Sequence, residues 1–367
     1  MSAGTENETT RTAEQVEIET SLPSVHRRVG ELPTWAFWAI LGATVVVVGG
    51  GTLVAGGGVA LAVVAAAVAY ALAVYATSRV VEGPRKATDR LVTVVVSAAF
   101  LVAMAPLVSV VITVLANGIA RFDAEFFTYS MRGVVGEGGG GYHAIVGTLI
   151  ITALAALMSI PVGLLTAVYL VEYGRGRLAR AITFFVDVMT GIPSIVAGLF
   201  AFALFALFFG PGVRMGFMGS VALSVLMIPV VVRSTEEMLK IVPNELREAA
   251  YALGVPKWRT ILKIVIPTSI AGIASGITLA VARVIGETAP LLIAVGITTG
   301  VNFNPFDGRM ATLPVFSYYS YVAPGVPRQP FIDRAWTAAL VLIILVMALN
   351  LVARLIARVF APKTSGR

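Results

Sequence analysis

The chain alternates long apolar stretches with short polar connections. Eight stretches, at 35–55, 59–77, 91–116, 144–171, 184–209, 217–232, 268–297 and 335–360, carry almost no charge. A helix needs about 20 mostly apolar residues to cross the roughly 30 Å hydrocarbon core, and most of these stretches supply them. None shows the two-residue alternation of a barrel strand, and backbone polar groups in lipid must be satisfied inside a helix or a closed barrel. The pattern predicts an all-α polytopic membrane protein with about eight transmembrane helices. Only Gly56, Gly57 and Gly58 separate the first two stretches, so these form a tight helical hairpin. Trp35 and Trp38 open the first one, where aromatic rings favour the headgroup level.

Composition narrows the class further. Of 367 residues, 57% are hydrophobic and only 13% charged, against about 25% charged in an ordinary soluble domain. A soluble globular protein is excluded. The net charge of +7 lies in connections between apolar runs, not on a surface that could hold nucleic acid, so the partner expected from composition is the lipid bilayer. Twenty Lys and Arg fall on the side shared by the two termini and six on the other; positive loops stay cytoplasmic, which places both termini in the cytoplasm. Residues 1–33 read as a disordered cytoplasmic tail, 34–78 as the hairpin, 79–90 as a cytoplasmic linker and 361–367 as a second tail. With no cysteine and two histidines, His26 and His143, disulfides, thiolate catalysis and a Cys- or His-rich metal centre are excluded. No catalytic residue is assigned.

The longest connection, 236–266, reads as two short amphipathic helices. Leu246, Ala249, Ala250 and Leu253 recur at helical spacing, and Gly254 follows where a helix end takes a left-handed residue. Pro256 suits the opening of a second helix, in which Trp258, Ile261, Leu262 and Val265 repeat the spacing. Pro267 marks the start of the next span. Such a pair either rests on lipid headgroups or docks a cytoplasmic partner.

Glu248-Ala249-Ala250, then Gly254 after three more residues, then Ile264, Ile266 and Pro267 resemble the EAA loop of ABC importer permeases, with Ile266 in the place of the usual leucine. The runs 247–254, 256–258, 229–236 and 282–292, the last reading Ala-Arg-Val-Ile-Gly-Glu-Thr-Ala-Pro-Leu-Leu, are similar to the PstA-type permeases of phosphate-specific ABC importers. The resemblance covers residues 91–360. It implies a type I permease core of six helices, here preceded by the extra hairpin, in a prokaryotic inner or plasma membrane. It also implies a PstC-type sister permease, a PstB-type ATPase dimer, a PstS-type extracytoplasmic phosphate-binding protein, and inorganic phosphate as cargo. The chain has no G-x-x-x-x-G-K-[ST] phosphate loop. ATP and magnesium are therefore expected on the ATPase, with no cofactor on this chain, and the ATPase is expected to seat on Glu248, Ala249, Ala250, Leu253, Gly254 and Trp258. Two alternatives stay open: a permease of the same class for molybdate or sulfate, and a secondary transporter. The latter commonly shows internal repeats and needs no docking loop.

A charged residue in a span costs about 2.5–3.5 kcal/mol on insertion scales and usually faces a pathway or a partner. Arg283 lies sixteen residues past Pro267, roughly 24 Å along a helix, and its planar fork suits phosphate oxygens. Glu287, four residues on, either neutralises it or shares a role in the phosphate pathway. Arg233 and Glu236 sit three apart at the inner end of a short span, as interfacial snorkelling residues or as a gate. Asp187 either caps a helix or pairs with Arg233. Gly191-Ile192-Pro193-Ser194 and Ile228-Pro229 are positions where a helix can kink. On the outer side, 138–141 is a glycine-rich approach to His143, and 313–322 is aromatic enough to lie on the membrane.

Overall fold

The structure, a computed structural model, describes residues 30–360; the two expected tails, at 1–29 and 361–367, lie outside the described residues. All regular structure among the described residues is helical. The described residues divide into two compact units, one ending at Ser109 and the other beginning at Val110.

In the first unit the expected hairpin forms from α1 (Thr34–Val54) and α2 (Val59–Val81). Gly56, at φ +83°, makes the turn, a conformation open to glycine because it has no Cβ. The segment read as a linker is almost wholly helical: α2 runs to Val81 and α3 (Pro84–Gly118) begins three residues later. Only Glu82 and Gly83 lie between them. Glu82 is buried and holds this corner together, accepting hydrogen bonds from the Ser78 hydroxyl at 2.6 Å and the Leu32 N–H at 3.1 Å. Arg90 Nε lies 3.6 Å from it. The Ser78 bond holds the Glu82 carboxyl below its usual range, against an opposing pull from burial and with help from Leu32 and Arg90.

The second unit contains α4 (Ala124–Thr128), α5 (Tyr142–Val168, prolonged by a wide π turn to Tyr173), α6 (Gly176–Thr190) and α7 (Ser194–Phe209). They are followed by α8 (Gly216–Ile241), α9 (Asn244–Ala252), α10 (Lys257–Val284), α11 (Ala289–Ala294), α12 (Leu313–Val322) and α13 (Gln329–Phe360). The central element is α8, packed on α5, α6, α7, α10 and α11. In lipid no aqueous hydrophobic effect presses helices together, and small residues that let backbones approach take its place. A Cβ added at Gly163 of α5 would sit 2.6 Å from Val231 Cγ1, and one at Gly276 of α10 would sit 2.5 Å from Ser234 Oγ. The Ser220 hydroxyl donates to the Ile151 carbonyl across the α5–α8 contact at 3.1 Å. Ile151, Ala155, Leu223, Met227 and Val231 form the centre of the core.

Three expectations change. The stretch at 184–209 is not one straight span: α6 and α7 meet at 109° across Gly191-Ile192-Pro193, because Pro193 brings no N–H to continue the ladder. Among the described residues seven helices are long and apolar enough to cross a membrane, or up to eight if the bent pair is one span. Pro267 sits in the first turn of the α-helical run Ile266–Val284, but no break precedes it. The second element of the 236–266 segment runs unbroken into the span as α10, with a π turn at Ile261–Val265 just ahead of Pro267; widening there relieves the clash a proline ring makes with the preceding turn. Finally, α12 is not merely laid on a surface, since Leu313, Val315, Phe316 and Ser320 are buried against α5 and α13.

Candidate functional site

At one end of the bundle the 236–266 segment folds into a rigid elbow. Glu236 belongs to α8, which continues to Ile241, so the connection is shorter than the sequence pattern suggests. After α9, Gly254 takes φ +74°. Its N–H donates to the Tyr251 carbonyl at 2.9 Å, and the Val255 N–H to the Ala250 carbonyl at 3.0 Å. These are the two bonds of a Schellman cap, and Pro256 then starts α10. Of the expected apolar positions Ala250, Ile261 and Val265 are buried, while Leu246, Ala249, Leu253, Trp258 and Leu262 are exposed, Leu253 at 84%, as is the neighbouring Glu248. The exposed part of this face has no packing partner among the described residues of this chain.

One residue that sequence reading did not single out fastens this elbow. Glu172, in the π turn that ends α5, pairs with Arg247 of α9 at 2.9 Å, with the two side chains 4% and 11% exposed. Arg247 also donates to the carbonyls of Val242 at 2.6 Å and Leu239 at 2.9 Å. The Glu172 carbonyl accepts from Lys257 at the start of α10, and the Lys257 ammonium lies 4.8 Å from the Tyr173 ring centre. Both arms of the elbow are therefore tied to the end of α5.

The expected pairing of Asp187 with Arg233 is present. Arg233 Nη1 also bonds Glu236 Oε2 at 2.8 Å, and Glu236 Oε1 accepts from Lys240 Nζ at 2.6 Å. The four groups alternate in sign, so the run is locally neutral, as charges near lipid must be. Asp187 stands on α6 and the other three on α8, so the run straps the bent α6–α7 pair to the central helix.

Arg283 and Glu287 do not share a helix face. α10 ends at Val284, and the Glu287 N–H turns back onto the Val284 carbonyl at 3.1 Å. Gly286, with its low helix propensity, lies in the break. No ion pair joins the two, and Arg283 is exposed on this chain with no side-chain partner among the described residues. The self-neutralised pair is thus not formed, and Arg283 remains available at the α10–α11 junction.

At the opposite end of α8, the glycine-rich approach is held by two arginines. Arg334 of α13 is fully buried and donates from Nη1 to the carbonyls of Gly136 and Gly138, both at 2.8 Å. Arg121 donates to the Gly139 carbonyl at 2.9 Å and pairs with Asp123 and Glu125. Burial pulls the Asp123 carboxyl upward, but the Phe126 N–H and Arg121 outweigh it and leave it below its usual range. Sequence counting treats Arg334 only as one positive charge outside a span; directly after Asp333 in the sequence, it carries no local signal of its burial.

A helix bundle that carries an exposed helix–glycine–helix elbow, fastened to its membrane helices, has the build of an importer permease. Residues 159–366 match the family model described as "Binding-protein-dependent transport system inner membrane component". The chain belongs to that family, on its PstA-type branch. It is 49% identical over 272 residues to the phosphate transport system permease protein PstA of Mycobacterium leprae, covering 73% of this chain and 88% of that one. It is 50% identical over 260 residues to PstA 1 of Mycobacterium tuberculosis (strain CDC 1551 / Oshkosh), covering 70% and 84%. A solved structure of the MetNI methionine ABC transporter, inward-facing, overlaps 59% of this chain and 94% of its own at 20% identity and a TM-score of 0.48.

Proposed function

We propose that this chain is the transmembrane permease subunit of an ATP-driven importer of inorganic phosphate. It forms half of the translocation pathway and couples it to a separate ATPase. The observation that carries this reading is the identity of about half to permeases named for phosphate transport, over more than four-fifths of their length.

The geometry supplies a mechanism. The ATPase dimer, which holds ATP and magnesium, seats on the exposed face of Glu248, Ala249, Leu253, Gly254 and Trp258, with Ala250 packed behind. Because the Gly254 cap makes α9 and the start of α10 one rigid elbow, and Glu172 ties the elbow to α5, displacement of the elbow moves α5 and α10 together. The Asp187–Arg233–Glu236–Lys240 run restrains α6 against α8 at the same end and forms the gate that this movement opens. Arg283, free at the α10–α11 junction, faces the sister permease and meets phosphate with paired charge-assisted hydrogen bonds. Both termini lie in the cytoplasm of a prokaryotic cell, and a phosphate-loaded binding protein delivers cargo on the other side. The chain itself performs no chemistry and binds no cofactor.

The experiment is uptake of labelled phosphate by vesicles containing this chain, its sister permease, the ATPase and the binding protein. Accumulation should require ATP and be suppressed by unlabelled phosphate but not by sulfate or molybdate. Accumulation of either of those anions instead would move the protein to the neighbouring oxyanion class.

A further inference from the structure

A second group of arginines lies at the end of α8 opposite the elbow. Gly296, just after α11, is buried with φ +74°. A Cβ added there would lie 3.1 Å from Arg214 Nη1 and 3.6 Å from Arg309 Cδ, so both side chains reach the same point on the backbone. Four residues on, the corresponding position at Gly300 is 4.0 Å from Arg132 Cδ. Three arginines from distant parts of the sequence thus line one five-residue loop.

Their arrangement is built rather than incidental. Asn302 Nδ2 donates to the carbonyls of Asp307 at 2.7 Å and Arg309 at 3.1 Å, which closes the turn that presents Arg309. The Phe217 N–H donates to the Pro305 carbonyl at 2.7 Å, pinning that turn to the start of α8 beside Arg214. Yet among the described residues none of the three guanidinium groups has a hydrogen-bond or ion-pair partner, and Asp307 pairs with neither Arg214 nor Arg309. Arg214 is half-buried while Arg132 and Arg309 are exposed, and like charges gathered on one loop repel. Such a group is relieved by an anion, and a guanidinium fork suits the oxygens of a tetrahedral oxyanion. Arg214 and Arg233 are nineteen residues apart along or beside α8, about 28 Å at helical rise, so this group is separate from the Asp187–Arg233 run. Only the short α11 and its flanks separate Gly296 from Arg283.

We infer that Arg214 and Arg309, with Arg132 at the margin, form an oxyanion-holding site on the 296–300 loop, a station for inorganic phosphate ahead of Arg283. The identity of the anion rests on the proposed function; the existence of the site does not.

The test is residue-resolved modification of arginine by phenylglyoxal, mapped by mass spectrometry on the reconstituted importer without its binding protein. Inorganic phosphate should slow modification of Arg214 and Arg309 about tenfold, the effect of one charged hydrogen bond, and leave the exposed Arg175 and Arg259 unaffected. The double variant Arg214→Gln/Arg309→Gln should assemble, bind its partners and lose about tenfold of phosphate uptake, while Arg214→Lys/Arg309→Lys keeps more of it. Equal reactivity with and without phosphate, or wild-type uptake by the glutamine variant, would overturn the site. Protection by the phosphate-free binding protein alone would make the patch a protein-docking surface and overturn it equally. Protection by sulfate or molybdate in place of phosphate would uphold the oxyanion site and overturn the phosphate assignment.

Discussion

Glu172 and Arg247 stand 75 residues apart in sequence and 2.9 Å apart in space, and their pairing joins the elbow to a transmembrane helix. An exposed ion pair contributes little, but this one is nearly dry, and removing one partner leaves the other charge buried. Glu172→Ala should destabilise the assembled protein by about 3 kcal/mol. It should also raise ATP hydrolysis relative to phosphate moved. The double variant Glu172→Gln/Arg247→Met should recover much of the thermal stability while remaining uncoupled. Thermal unfolding and the ratio of ATP consumed to phosphate accumulated, measured on the same preparations, check both statements.

Gly254 is required by conformation, not by space: nothing lies within 4 Å of an added Cβ, while φ is +74°. A left-handed residue with a side chain costs about 1–2 kcal/mol, and asparagine tolerates the region best. Gly254→Asn should therefore retain most uptake and Gly254→Val should lose most of it, with both chains present in the membrane at similar levels. Equal uptake by the two variants would show that the cap geometry is dispensable.

The Asp187–Arg233–Glu236–Lys240 run predicts an order of severity. Arg233→Ala leaves Asp187 without its partner and Glu236 with Lys240 alone, and should abolish uptake. Asp187→Asn removes only the partner that is more than half exposed and should reduce uptake less. Restoring opposite signs with Asp187→Arg/Arg233→Asp should recover part of the loss. Uptake by the three variants, normalised to assembled complex, tests the strap between α6 and α8.

Glu82 gives a pH dependence in the first unit. Its folded pKa is depressed, chiefly by the Ser78 hydroxyl, so it contributes stability above the unfolded carboxylate pKa of 4.5 and loses it as pH falls through the lower folded value. Glu82→Gln should speed hydrogen exchange at the Leu32 amide at neutral pH. The difference from the unsubstituted chain should vanish under acid conditions below the carboxylate range.

Much of this was legible in the residues. Spans of twenty apolar residues and the Gly254 signal are local properties, and the pairing of Asp187 with Arg233 follows from two charges at the same membrane depth. The break at Gly191-Ile192-Pro193 was visible as a kink, but its angle depends on packing against α8. Glu172 and Arg334 were missed because their partners, Arg247 and the carbonyls of the glycine-rich approach, are brought to them by tertiary structure. Arg283 and Glu287 misled in the opposite way: their spacing fits a helix, yet the turn at Ile285 and Gly286 ends it.

On the proposed function, the elbow meets a motor polypeptide and passes its movement to the membrane helices. A photo-crosslinking side chain placed at Leu253 or Trp258 in the intact importer addresses this contact most directly. The expected product is one adduct with the ATPase subunit, whose yield changes when ATP is trapped. Adducts confined to phospholipid, unchanged by nucleotide, would show that the elbow is only an interfacial helix pair.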